Sequence, residues 1–455
     1  MRKTLSFIFV SLFLAVPQVW GQDVSGTAQE ASSIKNADEA SCEILVVGGG
    51  SAGISAALFA GKAGADVILV EATHILGGNT TSGGVAFPGL FHAWGKQVIA
   101  GPTWDLICEC VKLNDGTLPD FSRGGSARHW ELQVRINGPL FALMAEEALL
   151  KAGVKIRYYE APTSLKKTTA GWDVTTAAMG EIRTIHARRV IDCTGSASVA
   201  TLAGANRMRE ETTQPGTFNY RIKHEIPVQK LTPEQKAEIV QKYNTAMKDG
   251  TLQPGDARWG ILSSLEDASR NYVYGADGST AEKRTETNLR GRQAALRMLR
   301  FIRTLPGGET AKLVEFCPEV GVRETFRVVG DYVITVDDYT SGKRWDDSLC
   351  FAFYPVDLHV NETGVQPKQL TEGTVPTVPL RAQLPAGLDD FLVAGRCISS
   401  DRLANSGLRV QGACIATGQT AAAAAVVSVR TSKPLRELDL TSVKKVLTDG
   451  GAIVP

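Results

Sequence analysis

Short apolar runs and small-residue stretches alternate along the first part of the chain. The run Glu43–Val47 predicts a buried parallel strand, and the alanine-rich stretch Ile54–Ala63 predicts a helix behind it. A second apolar run, Asp66–Val70, predicts the next strand. Strand, helix and strand in this order form a βαβ unit, so the pattern indicates an α/β fold built on a parallel sheet.

The pattern continues with one more helix and then changes its period. A helix is predicted over Pro139–Ala152 and a strand over Val154–Tyr158. Polar and apolar positions alternate over Trp172–Ala177 and Arg183–Ala187, which is typical of a β-meander. The apolar run Val190–Cys193 then predicts a further buried strand.

The middle of the chain has helical periodicity instead. The segments Thr232–Gly250 and Glu286–Leu305 predict amphipathic helices, and Thr232 with Gln235 behind it predicts the start of the first helix. The segment Phe326–Asp338 resembles a strand and predicts a sheet that joins this region to the rest of the chain.

The N-terminal residues form a different kind of segment. Two basic residues precede an apolar core, Leu5–Val16, and the small residue Gly21 follows it. We expect a secretory signal peptide over residues 1–21, because the apolar run is shorter than the roughly 20 residues of a spanning helix. The protein is therefore expected to be exported, to the periplasm or beyond; an uncleaved anchor helix is the alternative. Residues 22–41 are small and polar and predict a solvated linker.

Composition and charge narrow the range of partners. The chain has 455 residues, of which 43% are hydrophobic and 21% charged, as in an ordinary globular protein. A formal net charge of +1 and 7% aromatic residues give no indication of a nucleic-acid partner or of an anionic membrane surface. Beyond the N-terminal segment the sequence has no other long apolar run, so we expect no stable membrane insertion. The eight cysteines follow no metal-binding or disulfide spacing and the six histidines are scattered, so we expect no metal site.

A glycine-rich turn, G-x-G-x-x-G, joins the first predicted strand to the first predicted helix. Gly48 suits a tight turn, Gly50 lets a pyrophosphate approach the helix N-terminus, and Gly53 lets helix and strand pack closely. Glu71 ends the second strand, where it can accept hydrogen bonds from ribose hydroxyls. The turn therefore predicts a dinucleotide site. Its predicted contact residues are Gly48, Gly50, Ser51, Ala52, Gly53, Glu71 and Ala72.

A second glycine cluster, Gly77–Gly84, stands where a domain for NAD would carry its second crossover helix. Far downstream, Thr194 and Gly195 close the strand at 190–193, and a strand, a Gly-Arg turn, a polar loop and a small-residue helix follow within 389–427. This order of parts resembles the FAD-binding domain of flavoproteins with two dinucleotide-binding folds. The resemblance implies contacts with FAD for Gly78, Asn79, Thr80, Thr81, Ser82, Gly83, Pro162, Thr194, Gly195, Gly395, Arg396, Arg409 and Val410.

Further strings resemble one family more closely. The segments Cys317–Asp338, Phe353–Val360 and Leu408–Ala422 are similar to the FAD-dependent oxidoreductases found among exported bacterial proteins, which are relatives of fumarate reductase flavoproteins and L-aspartate oxidase. The resemblance runs from about Glu43 to Val427. In one departure, Ser196 replaces the acidic residue that usually follows the Thr-Gly pair, and we expect Ser196 to cap the next helix instead.

The resemblance implies a domain organisation. The fold class is α/β: a Rossmann-like FAD-binding domain of the glutathione-reductase/fumarate-reductase type, with a parallel sheet plus a β-meander, and an inserted α+β cap or substrate domain. The predicted parts are 42–205 and 346–430 for the FAD-binding domain, 206–345 for the cap, and 431–455 for a C-terminal tail.

Four residues are candidates for the chemistry at the flavin. His359 and Asp357 would face one side of a strand, so that Asp357 could orient an imidazole that acts as general acid or base. Arg323 could clamp a carboxylate or carbonyl oxygen, and Arg402 resembles the substrate-binding arginine of the fumarate reductases. The alternatives are a structural ion-pair network of Arg323 with Glu324 and a purely structural, hydrogen-bonded His359.

These observations predict an enzyme that transfers a hydride between flavin N5 and a small organic substrate. FAD is expected to be non-covalent, because no His or Cys stands where attachment can be argued. No second G-x-G-x-x-G and no haem or iron–sulfur cysteines are present, so a separate electron donor or acceptor is expected. A non-catalytic exported binding protein on the same scaffold and, less favoured, an NAD-linked Rossmann enzyme are the alternatives.

Overall fold

A computed structural model describes residues 39–126, 128–267, 270–360 and 364–455. The predicted signal peptide and most of the predicted linker lie outside these residues. The first strand begins at Ala40, so the last two residues of the predicted linker belong to the sheet.

The secondary structure consists of short strands and helices in alternation. The strands are β1 Ala40–Val47, β2 Val67–Glu71, β3 His92–Ala93, β4 Lys96–Gln97, β5 Lys155–Tyr158, β6 Glu160–Thr168, β7 Gly171–Ala178, β8 Glu181–Asp192, β9 Arg207–Met208, β10 Gly216–Lys223, β11 Arg270–Val273, β12 Lys312–Phe316, β13 Arg327–Val328, β14 Ser348–Phe351, β15 Val356–Val360, β16 Gly364–Lys368, β17 Thr377–Pro379 and β18 Phe391–Val393. The helices are α1 Ser51–Lys62, α2 Pro102–Leu113, α3 Gly138–Lys151, α4 Ser198–Leu202, α5 Pro233–Lys248, α6 Ile261–Asp267, α7 Ala281–Ile302, α8 Val336–Ser341, α9 Arg402–Leu408, α10 Gln411–Thr431 and α11 Leu440–Asp449.

The largest sheet combines a parallel part with an antiparallel meander. Its strand order is β5-β2-β1-β8-β7-β6, and β18 pairs with β8 beyond the end of β7. The pairs β2–β5, β1–β2, β1–β8 and β8–β18 are parallel, whereas β6–β7 and β7–β8 are antiparallel. The predicted parallel sheet and meander are therefore confirmed as features of one sheet. The meander strand and the closing strand, predicted separately at 183–187 and 190–193, are one continuous strand, β8.

The core on one face of this sheet is made of two helices with small side chains. Helix α10 is buried along almost its whole length and packs against α1, where Ser55 donates a hydrogen bond to the Ile415 carbonyl at 2.8 Å. A Cβ at Gly418 would lie 2.3 Å from the Ala52 carbonyl oxygen, so only glycine permits this approach. Within the described residues, α10 is also the helix long and apolar enough to cross a membrane, and it is buried inside the fold.

A second cluster of buried side chains lies in the middle of the chain. It includes Phe218, Ile239, Met298 and Phe301, and it packs between the sheet β11-β10-β12 and the helices α5 to α7. The two helices predicted here are confirmed as α5 and α7. The predicted start of α5 is also confirmed, because Thr232 and Gln235 form a reciprocal capping box.

Two local predictions are wrong. Only Arg327–Val328 of the segment 326–338 forms a strand, paired with β9. Gly330 and Ile334 beyond it form single bridges to different partners, Pro385 and Ser400, and Thr335 caps helix α8. Ser196 does not cap α4. The carboxylate of Asp192 performs that role, since it accepts from the Ala200 N–H at 2.9 Å and from the Thr194 N–H at 2.9 Å.

Candidate functional site

The protein fold requires a glycine at two of the three glycine positions of the first turn, but not at the third. Gly48 has a φ of +101°, which side chains rarely adopt. A Cβ at Gly53 would lie 1.7 Å from the Gly48 carbonyl oxygen, so strand and helix meet only because Gly53 has no side chain. Gly50 has a φ of −73°, and a Cβ there would meet no atom within 4 Å. The fold does not need a glycine at position 50, but a ligand that approaches the N-terminus of α1 does.

The second glycine cluster lies directly beside this turn. The Gly77 N–H donates to the Gly49 carbonyl at 2.8 Å, and Gly77 itself has a φ of +106°. The Thr80 hydroxyl lies 3.3 Å from that of Ser51 and donates to Gln411 Oε1 at 2.7 Å. The first turn, the second cluster and the N-terminus of α10 are therefore in contact with one another, as expected of segments that together hold an elongated cofactor.

Glu71 lies at the end of β2, as predicted, but its carboxylate also supports the turn. It accepts hydrogen bonds from the Gly49 N–H at 2.6 Å and from the Thr73 N–H at 2.7 Å. A carboxylate has about four acceptor positions, so it can hold the turn and still accept from a ribose hydroxyl. Ala72, the next residue, is exposed.

The first glycine turn, Gly48–Gly53, and the second cluster, Gly77–Gly84, together form the cofactor cradle. An arginine holds its far side. Arg396 donates from Nε to the Gly195 carbonyl at 2.9 Å and from Nη1 to the Val322 carbonyl, to which Asn79 also donates at 2.9 Å. Burial, followed by the charge of Arg284, lowers the pKa of Arg396 to about 10. Arg396 is therefore cationic near neutral pH and ties the Thr194-Gly195 end of the sheet to the second cluster.

The remaining predicted cofactor residues fall into two groups. Thr81, Ser82, Gly83, Gly395 and Val410 lie on the segments that enclose the cradle, and Val410 is the N-cap of α10. Pro162 lies on β6 of the meander, in register with Thr176 of β7.

A second polar group forms around strand β15. His359 Nε2 lies 3.1 Å from Asp357 Oδ2, and the Tyr272 hydroxyl lies 3.2 Å from His359 Nδ1. Because an ionised carboxylate only accepts, Nε2 carries the proton and Nδ1 is the acceptor for Tyr272. The predicted pairing of His359 with Asp357 is thus present in the structure.

Arg409 belongs to this polar group through its contacts with Asp357 and Gln214. Its Nη2 donates to the Asp357 carbonyl at 2.9 Å and lies 3.4 Å from Asp357 Oδ2. Gln214 contributes from the middle of the chain, because its Oε1 accepts from the His359 N–H at 3.0 Å. Arg409 was expected among the cofactor ligands; the structure gives it Asp357 as its ionic partner.

The two other candidate arginines have different partners. Arg323 donates to the Pro215 carbonyl at 2.5 Å, and its guanidinium lies over the ring of Tyr272. Arg402 is ion-paired with the buried Glu324, with Nη2 2.8 Å from Oε1. The alternative of a structural Arg323–Glu324 pair is therefore wrong. Glu324 pairs with Arg402, so Arg402 is held by an internal carboxylate and is less suited than Arg323 to bind a substrate.

Burial and charge set the protonation states of this polar group. Burial lowers the pKa of His359 to about 4, and the hydrogen bond to Asp357 offsets only part of that shift. Burial by itself would raise the pKa of Asp357. The hydrogen bond from His359 and the charge of Arg409 outweigh burial and hold this pKa well below the usual value. Burial, followed by the charge of Arg409, lowers the pKa of Arg323 to about 9. At neutral pH the imidazole is therefore neutral, the carboxylate ionised and the guanidinium cationic.

Sequence reasoning missed Tyr272, Gln214 and Gln411. Tyr272 and Gln214 lie more than eighty residues before His359 in a region without a recognisable motif, so no sequence signal could have joined them. Gln411 stands one residue after the predicted Val410, and its position at the start of a helix was a usable signal.

Comparison with known proteins identifies the family. The model of the FAD dependent oxidoreductase family matches residues 43–447, which is most of the chain. The chain belongs to this family, and the protein is an FAD-dependent oxidoreductase. No curated protein matches the chain significantly.

Several solved structures are similar over much of the chain. A p-nitrophenol 4-monooxygenase from Pseudomonas putida DLL-E4 is 12% identical over 90% of this chain and 84% of that chain, with a TM-score of 0.40. A geranylgeranyl bacteriochlorophyll reductase-like protein from Thermoplasma acidophilum is 12% identical over the same shares, with a TM-score of 0.39. An aromatic hydroxylase from angucycline biosynthesis is 15% identical over 90% of this chain and 66% of that chain, with a TM-score of 0.42. These low scores assign no substrate.

Proposed function

We propose that this protein is an exported enzyme that transfers a hydride between FAD and a small organic substrate at the polar group around His359. The observation that carries the proposal is the sequence Arg409-Val410-Gln411. Arg409 binds Asp357, and Gln411 accepts from Thr80 at 2.7 Å, so two residues only two positions apart, where α10 begins, join the polar group to the cofactor cradle. The likeness of the fold to the fumarate reductase type is part of this proposal.

FAD would supply hydride transfer at its N5 atom, and the protein supplies binding, orientation and proton transfer. The turn at Gly50 and the second cluster at Gly78 would hold the cofactor without a covalent bond. Gln411, the first residue of α10, contacts Thr80 of the second cluster, and the partial positive charge of this helix N-terminus favours negative charge beside it.

Proton transfer is assigned to the His359 side chain. A substrate that loses a hydride from carbon must also lose a proton, either from a neighbouring O–H or N–H group or, where a carbon–carbon double bond forms, from the adjacent carbon. Nδ1 of the neutral imidazole can accept that proton, directly or through the Tyr272 hydroxyl, while Asp357 stabilises the imidazolium that forms. In the reverse direction the same atoms would deliver the proton.

The second buried cluster supports the proposal of a cap over the flavin, over about residues 206–345. Tyr272 and Gln214 come from that region and reach His359, so the inserted residues contribute to the site itself. A small-molecule substrate and a separate electron donor or acceptor are the expected partners.

Two experiments test the proposal. The purified protein, made anaerobic, is mixed with sugars, hydroxy acids and unsaturated acids, and the flavin absorption spectrum is followed in both redox directions. Reduction or reoxidation by a member of the panel supports the enzyme. Flavin that no donor or acceptor changes would support the non-catalytic binding protein. Export is tested by the N-terminal sequence of the mature protein, which should begin at about Gln22.

A further inference from the structure

Two arginines beside His359 have no anionic partner. The guanidinium carbons of Arg258 and Arg323 lie 4.9 and 5.5 Å from the ring centroid of Tyr272. Within the described residues neither arginine forms an ion pair, although the neighbouring Arg402 and Arg409 each have a carboxylate partner. Arg258 also lies 4.0 Å from the ring centroid of Trp259, so aromatic rings hold its guanidinium in place.

Unpaired cations in such a place cost free energy. Both side chains are only partly exposed to solvent, and like charges that lie close together repel each other. Burial, and after it the charges of Arg409 and Arg258, lower the pKa of Arg323, as expected for a guanidinium that has cationic neighbours. Asp357 offsets one of the three charges, and His359 is neutral, so this side of the site keeps an excess of positive charge.

Polar atoms next to these arginines also await a partner. In the described part of the chain, Arg258 Nε, Arg409 Nε and Thr217 Oγ1 are buried without a hydrogen bond. Thr217 is directly opposite Tyr272 in the antiparallel pair of β10 and β11, so both side chains lie on one face of that sheet. Buried polar atoms in folded proteins are paired with ordered water or with a polar ligand where no protein partner is present, and a ligand carboxylate can supply such a partner here.

We propose that Arg258 and Arg323 bind a carboxylate group of the substrate and that the enzyme acts on small organic acids. The planar guanidinium forks match the two oxygens of a carboxylate, and Thr217, on the same sheet face as Tyr272, has a hydroxyl free to donate a further hydrogen bond. The inference rests on the proposed function, since it takes the polar group around His359 as the substrate site. It adds Arg258, which no motif indicates, as a residue that determines specificity.

The test measures binding of matched acids and neutral analogues to the FAD-loaded protein. Lactate, succinate and glucuronate are compared with lactamide, succinamide and glucose by calorimetry and by perturbation of the flavin absorption band. At least one acid should bind at least about 10-fold more tightly than its neutral analogue. Arg258→Gln and Arg323→Gln should each weaken that acid about 10- to 100-fold, as expected for a lost charged hydrogen bond.

Arg221→Gln is the matched control. Arg221 lies on the same strand as Thr217, but it is exposed and paired with Glu315 at 3.0 Å, so its loss should leave acid binding unchanged. Arg258→Lys keeps the charge and loses the planar fork, and an intermediate affinity is expected. FAD content and the thermal unfolding midpoint of every variant show whether a loss of binding reflects a loss of folding.

The outcomes separate this inference from the proposed function. Acids that bind through both arginines but never reduce or reoxidise the flavin support the carboxylate site and contradict hydride transfer. Turnover of neutral substrates, without preference for any acid, supports the proposed function and overturns the carboxylate site. Three further results would overturn the carboxylate site: equal binding of acids and neutral analogues, no binding of any acid, or binding of inorganic phosphate alone.

Discussion

His359 and Asp357 stand two residues apart on strand β15, and their side chains meet with Nε2 3.1 Å from Oδ2. Alternate residues of a strand face one side, so this contact follows from the local sequence. The chemical role of the pair also depends on more distant residues. The Tyr272 hydroxyl donates to the other imidazole nitrogen, Nδ1, and the Arg409 guanidinium contacts the Asp357 carboxylate. The pair is thus one part of a hydrogen-bonded group drawn from three regions of the chain.

The low pKa of His359 predicts a loss of stability in mild acid. The folded-state pKa is about 4, against about 6.5 in an unfolded chain. As the pH falls from about 6.5 to 4, the unfolded state takes up a proton that the folded state does not, so folding loses up to about 1.4 kcal/mol per pH unit. Denaturant unfolding of the wild type and His359→Gln should show that the variant loses less stability over this window. Parallel losses in both proteins would mean that His359 titrates normally.

Gly50→Glu should remove FAD and leave the fold intact. The backbone at Gly50 suits an ordinary residue and a Cβ there meets no protein atom within 4 Å, but the glutamate would enter the pyrophosphate path with a negative charge. The purified variant should be colourless, with a circular dichroism spectrum like that of the wild-type apoprotein. Gly53→Ala is the contrasting variant and should fail to fold, because its Cβ would lie 1.7 Å from the Gly48 carbonyl oxygen. A yellow Gly50→Glu protein with stoichiometric FAD would place the cofactor elsewhere.

Glu71→Ala should weaken FAD binding by about 1–3 kcal/mol, which is the cost of a lost charged hydrogen bond. The apoprotein should also become less stable, because the carboxylate accepts from the Gly49 and Thr73 N–H groups. Titration of the apoprotein with FAD and thermal unfolding measure the two effects separately. Glu71→Gln keeps one acceptor oxygen, so its losses should be intermediate. An unchanged FAD affinity would mean that the ribose is held by other residues.

The sequence predicted those parts that depend on local pattern. Apolar runs located β1 and β2, the periodicity of α5 and α7 was clear, and the three glycines of the first turn have the backbone and spacing that their positions implied. Each of these features has its signal in a short stretch of sequence, although the folded turn also meets a distant segment, since a Cβ at Gly48 would lie 2.7 Å from the Cys193 carbonyl oxygen.

The sequence could not predict those parts that depend on distant contacts. Arg402 resembled a substrate ligand, but Glu324 neutralises it, and that pairing joins residues 78 positions apart. Tyr272 reaches His359 across 87 positions, from a segment with no motif. Ser196 stood at a plausible capping position, yet Asp192 is nearer to the free N–H groups of α4 because β8 ends directly beneath that helix.

The central claim is that His359 transfers the proton at the flavin, and stopped-flow measurement of His359→Gln tests it most directly. The variant should keep its FAD, because His359 does not contribute to the cradle, and Arg221→Gln serves as the folded control. With the acid or neutral substrate that reacts fastest with the wild type, His359→Gln should slow anaerobic flavin reduction or reoxidation by about 10²–10⁴-fold. The low pKa places the wild-type limb of the pH–rate profile near pH 4, and that limb should be absent from the variant. If His359→Gln reacts at the wild-type rate at every pH on both sides of that limb, the assignment of His359 as the proton-transfer group is wrong.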